Sequence, residues 1–219
     1  MTGEDDDGVF PLTSAPVVQA DAAWHRFPKG ALAGNFLHEL LQWLAEEGFD
    51  RWDTPAVQTL VRRRCERHGH TDRADEVLAW MGAVLHTPLP ALAGASLSGI
   101  GAVLPEMEFW LPAGRLHARE VDALCQQHLL PGVSRPQLPD AQLHGMLMGF
   151  ADLVFEHEGR YWVLDYKSNH LGADDAAYTA QALDAAMAHH RYEVQAALYM
   201  LALHRLLRAR LGDAYDPAQ

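Results

Sequence analysis

The amino-acid sequence predicts an α/β domain: a mixed β-sheet flanked by helices, with an N-terminal helical extension. Three observations predict it. Helical periodicities occupy the early and late parts of the chain. Between them, "VLPEMEFWLP" and residues 149–172, "GFADLVFEHEGRYWVLDYKSNHLG", alternate or run apolar as strands do. The 219 residues are 49% hydrophobic, enough to bury one sizeable core. Helices, then a strand cluster, then helices pack as a sheet with covered faces.

Taken in order, residues 1–25 are acidic, Pro-containing and aperiodic, and are expected to form a mobile arm ahead of a domain over 26–219. "GNFLHELLQWLAEEG" puts Phe36, Leu37, Leu40, Leu41 and Leu44 on one helical face. "TPAVQTLVRRRCERHG" and "TDRADEVLAWMGAVLH" follow as helices, each opened by a threonine N-cap, Thr54 and Thr71. "VLPEMEFWLP" alternates as a strand. "HAREVDALCQQHLL" returns to helix, and a loop containing Pro131, Pro136 and Pro139 leads into the hairpin. "DDAAYTAQALDAAMAHH" and "YEVQAALYMLALHRLLRARL" are the closing helices.

Composition excludes several classes. No apolar run approaches the ~18 residues of a membrane span, and the acidic N-terminus is unlike a signal peptide. Cys65 and Cys125 stand far apart without a CxxC pair, against a zinc ribbon, an iron–sulfur cluster or a disulfide scaffold; a reduced, cytoplasmic protein is expected. A net charge of −12 is unlike a protein that grips nucleic acid over a basic exterior. The arginines at 62–64, 67, 205, 208 and 210 read as solvated helix faces. There is no GxxxxGK[ST] phosphate loop, so ATP-driven unwinding is not encoded.

The hairpin poses the chemical question. Asp152 and Asp165 interrupt apolar strands, and a buried, unpaired carboxylate costs several kcal/mol or takes up a proton. A two-residue turn at Glu158–Gly159 sets Asp152 opposite Asp165, where like charges repel. A hard divalent cation such as Mg²⁺ or Mn²⁺ resolves the repulsion. Alternation places Lys167 on the face of Asp165, and Glu106 with Glu108 on one face of the preceding strand. Carboxylates, a cation and a nearby ammonium suit phosphodiester hydrolysis. A salt-bridged strand pair is the plainer alternative, but it leaves one acid unexplained.

These residues closely resemble the RecB-type nuclease domains of exodeoxyribonuclease V (RecBCD), within the PD-(D/E)XK, or restriction-endonuclease-like, superfamily. The resemblance runs from "HRFPKGALAGNFLHELL" through "VLPEMEFWLP" and the hairpin to "QALDAAMAHHRYEVQAALYMLALHRLLR", loosely over 45–100 and 112–142. It implies a restriction-endonuclease-like core and a Mg²⁺-dependent exodeoxyribonuclease, as a fragment of a longer helicase–nuclease. It makes Asp152, Asp165 and Lys167 catalytic, with His38, Asp152, Asp165 and the Tyr166 main-chain carbonyl as metal ligands. Glu106, or else Glu108, is the upstream acid or a second-metal ligand. Gln195 and Tyr199 match a Q-xxx-Y helix that lines the DNA path or supports the site. The implied partners are DNA strands delivered by a helicase, RecC- and RecD-like subunits, and RecA. A non-catalytic module of the same fold that docks RecC or RecA, and a stand-alone PD-(D/E)XK exonuclease, are the alternatives.

Overall fold

The computed structural model describes residues 22–217, so nearly all of the expected acidic arm lies outside the described residues. Its last residues belong to the folded body instead. Helix α1 (Ala23–Arg26) is tied down because Trp24 Nε1 donates to Asp175 Oδ1 (2.9 Å) and His25 Nε2 lies 2.6 Å from the same oxygen.

Helix α2 (Ala31–Glu47) carries the apolar stripe expected for it, with Phe36, Leu37, Leu40, Leu41 and Leu44 all buried. Helix α3 (Pro55–Arg67) starts as its sequence requires: Thr54 accepts from the Val57 amide, and Pro55 takes the first position, where no N–H is needed. The Thr71 cap does not form. A single 3₁₀ turn over Thr71–Arg73 delays α4 to Ala74–His86, and its N-cap is Arg73 without a side-chain bond. Together α2, α3 and α4 enclose Val57, Val61, Cys65, Val77, Met81 and Leu85 in the larger of two cores.

Strand β1 (Val103–His117) is longer than expected, and after helix α5 (Ala118–His128) so is β2 (Gln142–His157). They form a two-stranded ribbon whose outer half was expected to be loop. Strand β3 (Arg160–Leu164) completes the sheet in the order β1-β2-β3. All described pairings are antiparallel, in place of the mixed sheet expected. The β2–β3 turn is the expected one: Glu158 (φ 52°) and Gly159 (φ 78°) are both left-handed, as a type I′ turn demands. Helices α6 (Ala180–His189) and α7 (Tyr192–Leu211) close the fold, with Thr179 capping α6.

Helices cover both faces of the sheet, and the strands change sides at one level. Leu153 and Phe155 point into the α2–α4 core, whereas Ala151, Met107 and Leu111 point into a second core with Tyr199, Ala202 and Leu203 of α7. The change falls at Glu106 and Asp152, between the pairs Pro105↔Leu153 and Met107↔Ala151, where Glu106 adopts φ 48°. A positive φ on a non-glycine residue is uncommon and costly, so this level of the sheet is held there by its surroundings.

Gly149 shows how closely α7 is fitted. A Cβ at that position meets Phe109 Cζ at 2.5 Å, because the Phe109 ring lies over the glycine and reaches the edge of Tyr199 (ring centroids 5.6 Å apart). Gly149→Ala is therefore expected to push Phe109 off Tyr199 and destabilise the domain by ~1–3 kcal/mol. Thermal melting would show this as a loss of ~2–4 °C per kcal/mol; an unchanged Tm would mean the ring has room to move.

Candidate active site

Four elements converge where the sheet changes sides. Helix α2 supplies His38, β2 supplies Asp152, β1 supplies Glu106, and the irregular segment after β3 supplies Asp165, Tyr166 and Lys167. Gly34 allows the approach of α2 to that segment, since a Cβ there lies 2.7 Å from Ser168 Oγ.

The register places the five β2–β3 pairs as expected, ending at Leu153↔Leu164. Asp152 and Asp165 come next but do not pair, because β3 stops at Leu164. Asp152 Oδ2 instead accepts the Tyr166 amide (2.7 Å) and lies 3.4 Å from His38 Nδ1. Asp165 forms an ion pair with Lys167. All four side chains are largely covered: 15% exposed for Asp152, 21% for Asp165, 25% for Lys167 and 35% for His38.

These neighbours divide the two acids electrostatically. Burial pushes Asp152 up, but the bonds from His38 and the Tyr166 amide outweigh it and hold this carboxyl below its usual range. Burial also pushes Asp165 up; with the charge of Asp152 added, it exceeds what Lys167 returns, and Asp165 stays above its usual range. Glu106 is raised by burial and then by Asp152. The bond to Asp152 lifts the His38 imidazole against burial. Negative charge at this level is thus only partly compensated by the protein.

Glu106 and Glu108 have different settings. Glu106 is half-buried and lines a groove of about 540 Å³ together with His38, Asn35, Asn169, Tyr192 and Lys29. Glu108 is exposed and accepts from Trp110 Nε1 (2.8 Å), two residues along the same strand. Gln195 Nε2 donates to the Tyr199 hydroxyl. Tyr199 is itself buried in the α7 core, where burial pushes its phenol up to about 12. A second hollow of about 270 Å³, lined by Leu37, Trp80, Asp165, Tyr166 and Lys167, opens beside the groove.

Sequence reasoning missed the surroundings of Lys167. Its ammonium lies over the Tyr192 ring, 4.5 Å from the centroid. It also missed a buried ion cluster at the start of α7, in which Arg191 bonds Asp122 and Glu193 (both 2.6 Å) and Arg135 lies 3.3 Å from Glu193. Asp122 and Arg191 are 69 positions apart, and no local pattern announces them.

Among the described residues no three His, Cys, Asp or Glu side chains close up as a ready-made metal cage. The donor chemistry nevertheless suits a hard divalent cation: two largely covered carboxylates, one held above its usual range by burial and by the other's charge, beside an imidazole.

Comparison with known proteins agrees with this chemistry. The chain is 46% identical over 216 residues to the RecBCD enzyme subunit RecB of Escherichia coli, covering 97% of this chain and 17% of that protein. Identity to the Mycobacterium tuberculosis RecB subunit is 32% over 250 residues, 99% of this chain and 22% of that protein. For Haemophilus influenzae RecB it is 40% over 146 residues, 64% and 12%. The chain thus spans less than a quarter of the length of these relatives. The family model for the PD-(D/E)XK nuclease superfamily matches residues 21–218, and to that superfamily the chain belongs.

Proposed function

We propose that this chain is the DNA-cleaving domain of a RecBCD-type helicase–nuclease, an exodeoxyribonuclease that requires Mg²⁺, with Mn²⁺ as a substitute. The observation that carries the reading is the meeting of His38, Asp152, Asp165 and Lys167, from α2, β2 and the segment after β3, in a chain of nuclease family. His38, Asp152, Asp165 and the Tyr166 carbonyl would hold the cation, with Glu106 assisting or holding a second one. Such an ion polarises the phosphate and supplies a water of lowered pKa. Asp152 is kept ionised by His38 and the Tyr166 amide. Lys167 brings an ammonium that cannot ligate a cation but can donate to charge developing on the phosphate. Gln195 and Tyr199 support the site from α7, since Tyr199 sits in the core under it and not in the groove.

An acidic net charge fits a domain fed with strands by a helicase and by RecC- and RecD-like subunits, because only the groove has to receive DNA. A cytoplasmic setting belongs to the same proposal. The second reading, a non-catalytic module docking RecC- or RecA-like partners, draws on the exposed apolar face of the β1–β2 ribbon, where Trp110, Met146, Met148 and Phe150 are each 43–55% exposed. A docking role alone leaves the covered acids without a purpose.

Two outcomes test the reading. Asp165 is raised in the folded protein, so its ionised form costs stability at neutral pH, and that cost disappears once the pH is low enough to protonate it in both states. Metal-free Asp165→Asn is therefore expected to melt at or above the wild-type temperature at pH 7 while losing cleavage of single-stranded DNA. A large drop in Tm would instead mark Asp165 as a structural partner of Lys167. Lys167→Ala is expected to lose about 10²-fold or more in turnover, with Mn²⁺ affinity by calorimetry unchanged or slightly tighter. Strongly weakened Mn²⁺ binding, or unaffected cleavage, would assign Lys167 a counter-ion role only.

A further inference from the structure

Lys167 sits on a segment, residues 165–172, that has no regular hydrogen-bonded structure. A lysine stem there has rotamer freedom that nothing in the sheet restrains. Two groups hold its ammonium: the Asp165 carboxylate, and the face of Tyr192 at 4.5 Å from the ring centroid. The two contacts differ in kind. A carboxylate engaged by a cation has less charge left for the ammonium, whereas an aromatic face attracts an ammonium through its quadrupole and offers no competing ligand.

The ring is itself fixed from three directions. It stacks on His190 (centroids 5.1 Å apart, planes 17° apart), and its hydroxyl donates to Asn169 Oδ1 (3.2 Å), two residues beyond Lys167. Its backbone opens α7 immediately after Arg191, which adopts φ 59°. The Arg191 guanidinium is anchored to Asp122 (2.6 Å), Glu193 (2.6 Å) and the Pro136 carbonyl (2.8 Å), with Arg135 behind Glu193. Glu193 is 2% exposed. A buried ion cluster of this kind is weak evidence for added stability, but it fixes where α7 begins and so where the ring stands.

We propose that Tyr192 is the positioning residue of Lys167: its ring face keeps the ammonium beside the acids whatever Asp165 is bound to, and the Arg191–Asp122–Glu193 cluster sets the position of the ring. The inference rests on the nuclease reading of Asp165 and Lys167. Removing the ring in Tyr192→Leu should lower kcat for single-stranded DNA by about three- to thirty-fold, the span of cation–π contacts from exposed to desolvated. KM should stay within about twofold of wild type, since positioning acts on the transition state and not on uniform binding. Tyr192→Phe, which keeps the face, should behave as wild type.

The test combines single-turnover cleavage with NMR of the Lys167 CεH₂ group, assigned from Lys167→Ala, and uses Tyr192→Met as a second ring-less variant should leucine impair folding. An upfield ring-current shift in wild type and Tyr192→Phe, lost in the ring-less variants, together with no further rate loss when these are added to Lys167→Ala, is the expected result. Lys167 resonances indifferent to the ring would overturn the proposal. So would an equal rate loss in the Lys167→Ala background, or a raised KM at unchanged kcat, which would make Tyr192 a platform for a DNA base. Asp165→Ala serves as the separate control: if it cleaves like wild type, the nuclease reading of these acids fails, while the NMR shift still reports on the Tyr192–Lys167 contact by itself.

Discussion

At the level of Glu106 and Asp152 the sheet carries carboxylates where the neighbouring positions, Ala151 and Leu153, are fully buried. Removing charge from water there has to be offset locally or the strand cannot hold it. The backbone responds first: β1 bends through a left-handed Glu106, the ladder skips one pair, and the strands exchange the core they face. Asp152 is thereby left at the boundary between the α2–α4 core and the α7 core, within reach of His38 from one and electrostatically felt by Tyr199 in the other. The end of β3 follows from the same constraint, since the Tyr166 amide bonds the Asp152 carboxylate and not another strand.

The compensation is deliberately incomplete in its effect. Asp152 receives an imidazole and an amide and is held below its usual range; Asp165 receives only the Lys167 ammonium and stays above its usual range. Full neutralisation by the protein would give a quieter sheet and leave nothing for a cation to gain by binding. Placing the residual charge on the segment after β3, which lacks ladder bonds, also puts it where small backbone adjustments are least costly. The rigid parts, α2 and the start of α7, then aim side chains into that segment from either side.

Much of this was legible in the residues. The period of Phe36–Leu44, the Thr54-Pro55 start and the uninterrupted run from Tyr192 to Leu211 are local signals, and the helices lie where those signals put them. The Glu158–Gly159 turn fixed the hairpin register, because only left-handed residues close a two-residue loop of that kind. Thr71 failed as a cap since a 3₁₀ turn intervenes, a choice that depends on packing. The outer ribbon escaped notice because its β2 half, residues 142–148, is interrupted by Gly145 and carries Met146 and Met148 on its exposed face, which erases the alternation that marks a half-buried strand. His38 is indistinguishable by period from any polar residue on an amphipathic helix; the family resemblance singled it out. Tyr192 and the cluster behind it depend on contacts between distant positions, and sequence order holds no trace of them.

The partly compensated charge of Asp152 and Asp165 is expected to receive a divalent cation. A crystal of the domain soaked in Mn²⁺ tests it most directly, through the anomalous signal of the metal. The expected result is a peak within ~2.5 Å of oxygens from both carboxylates, with the His38 ring turned towards it. A map in which Mn²⁺ is bound elsewhere, with Asp165 still paired to Lys167 and no peak at either aspartate, would contradict it.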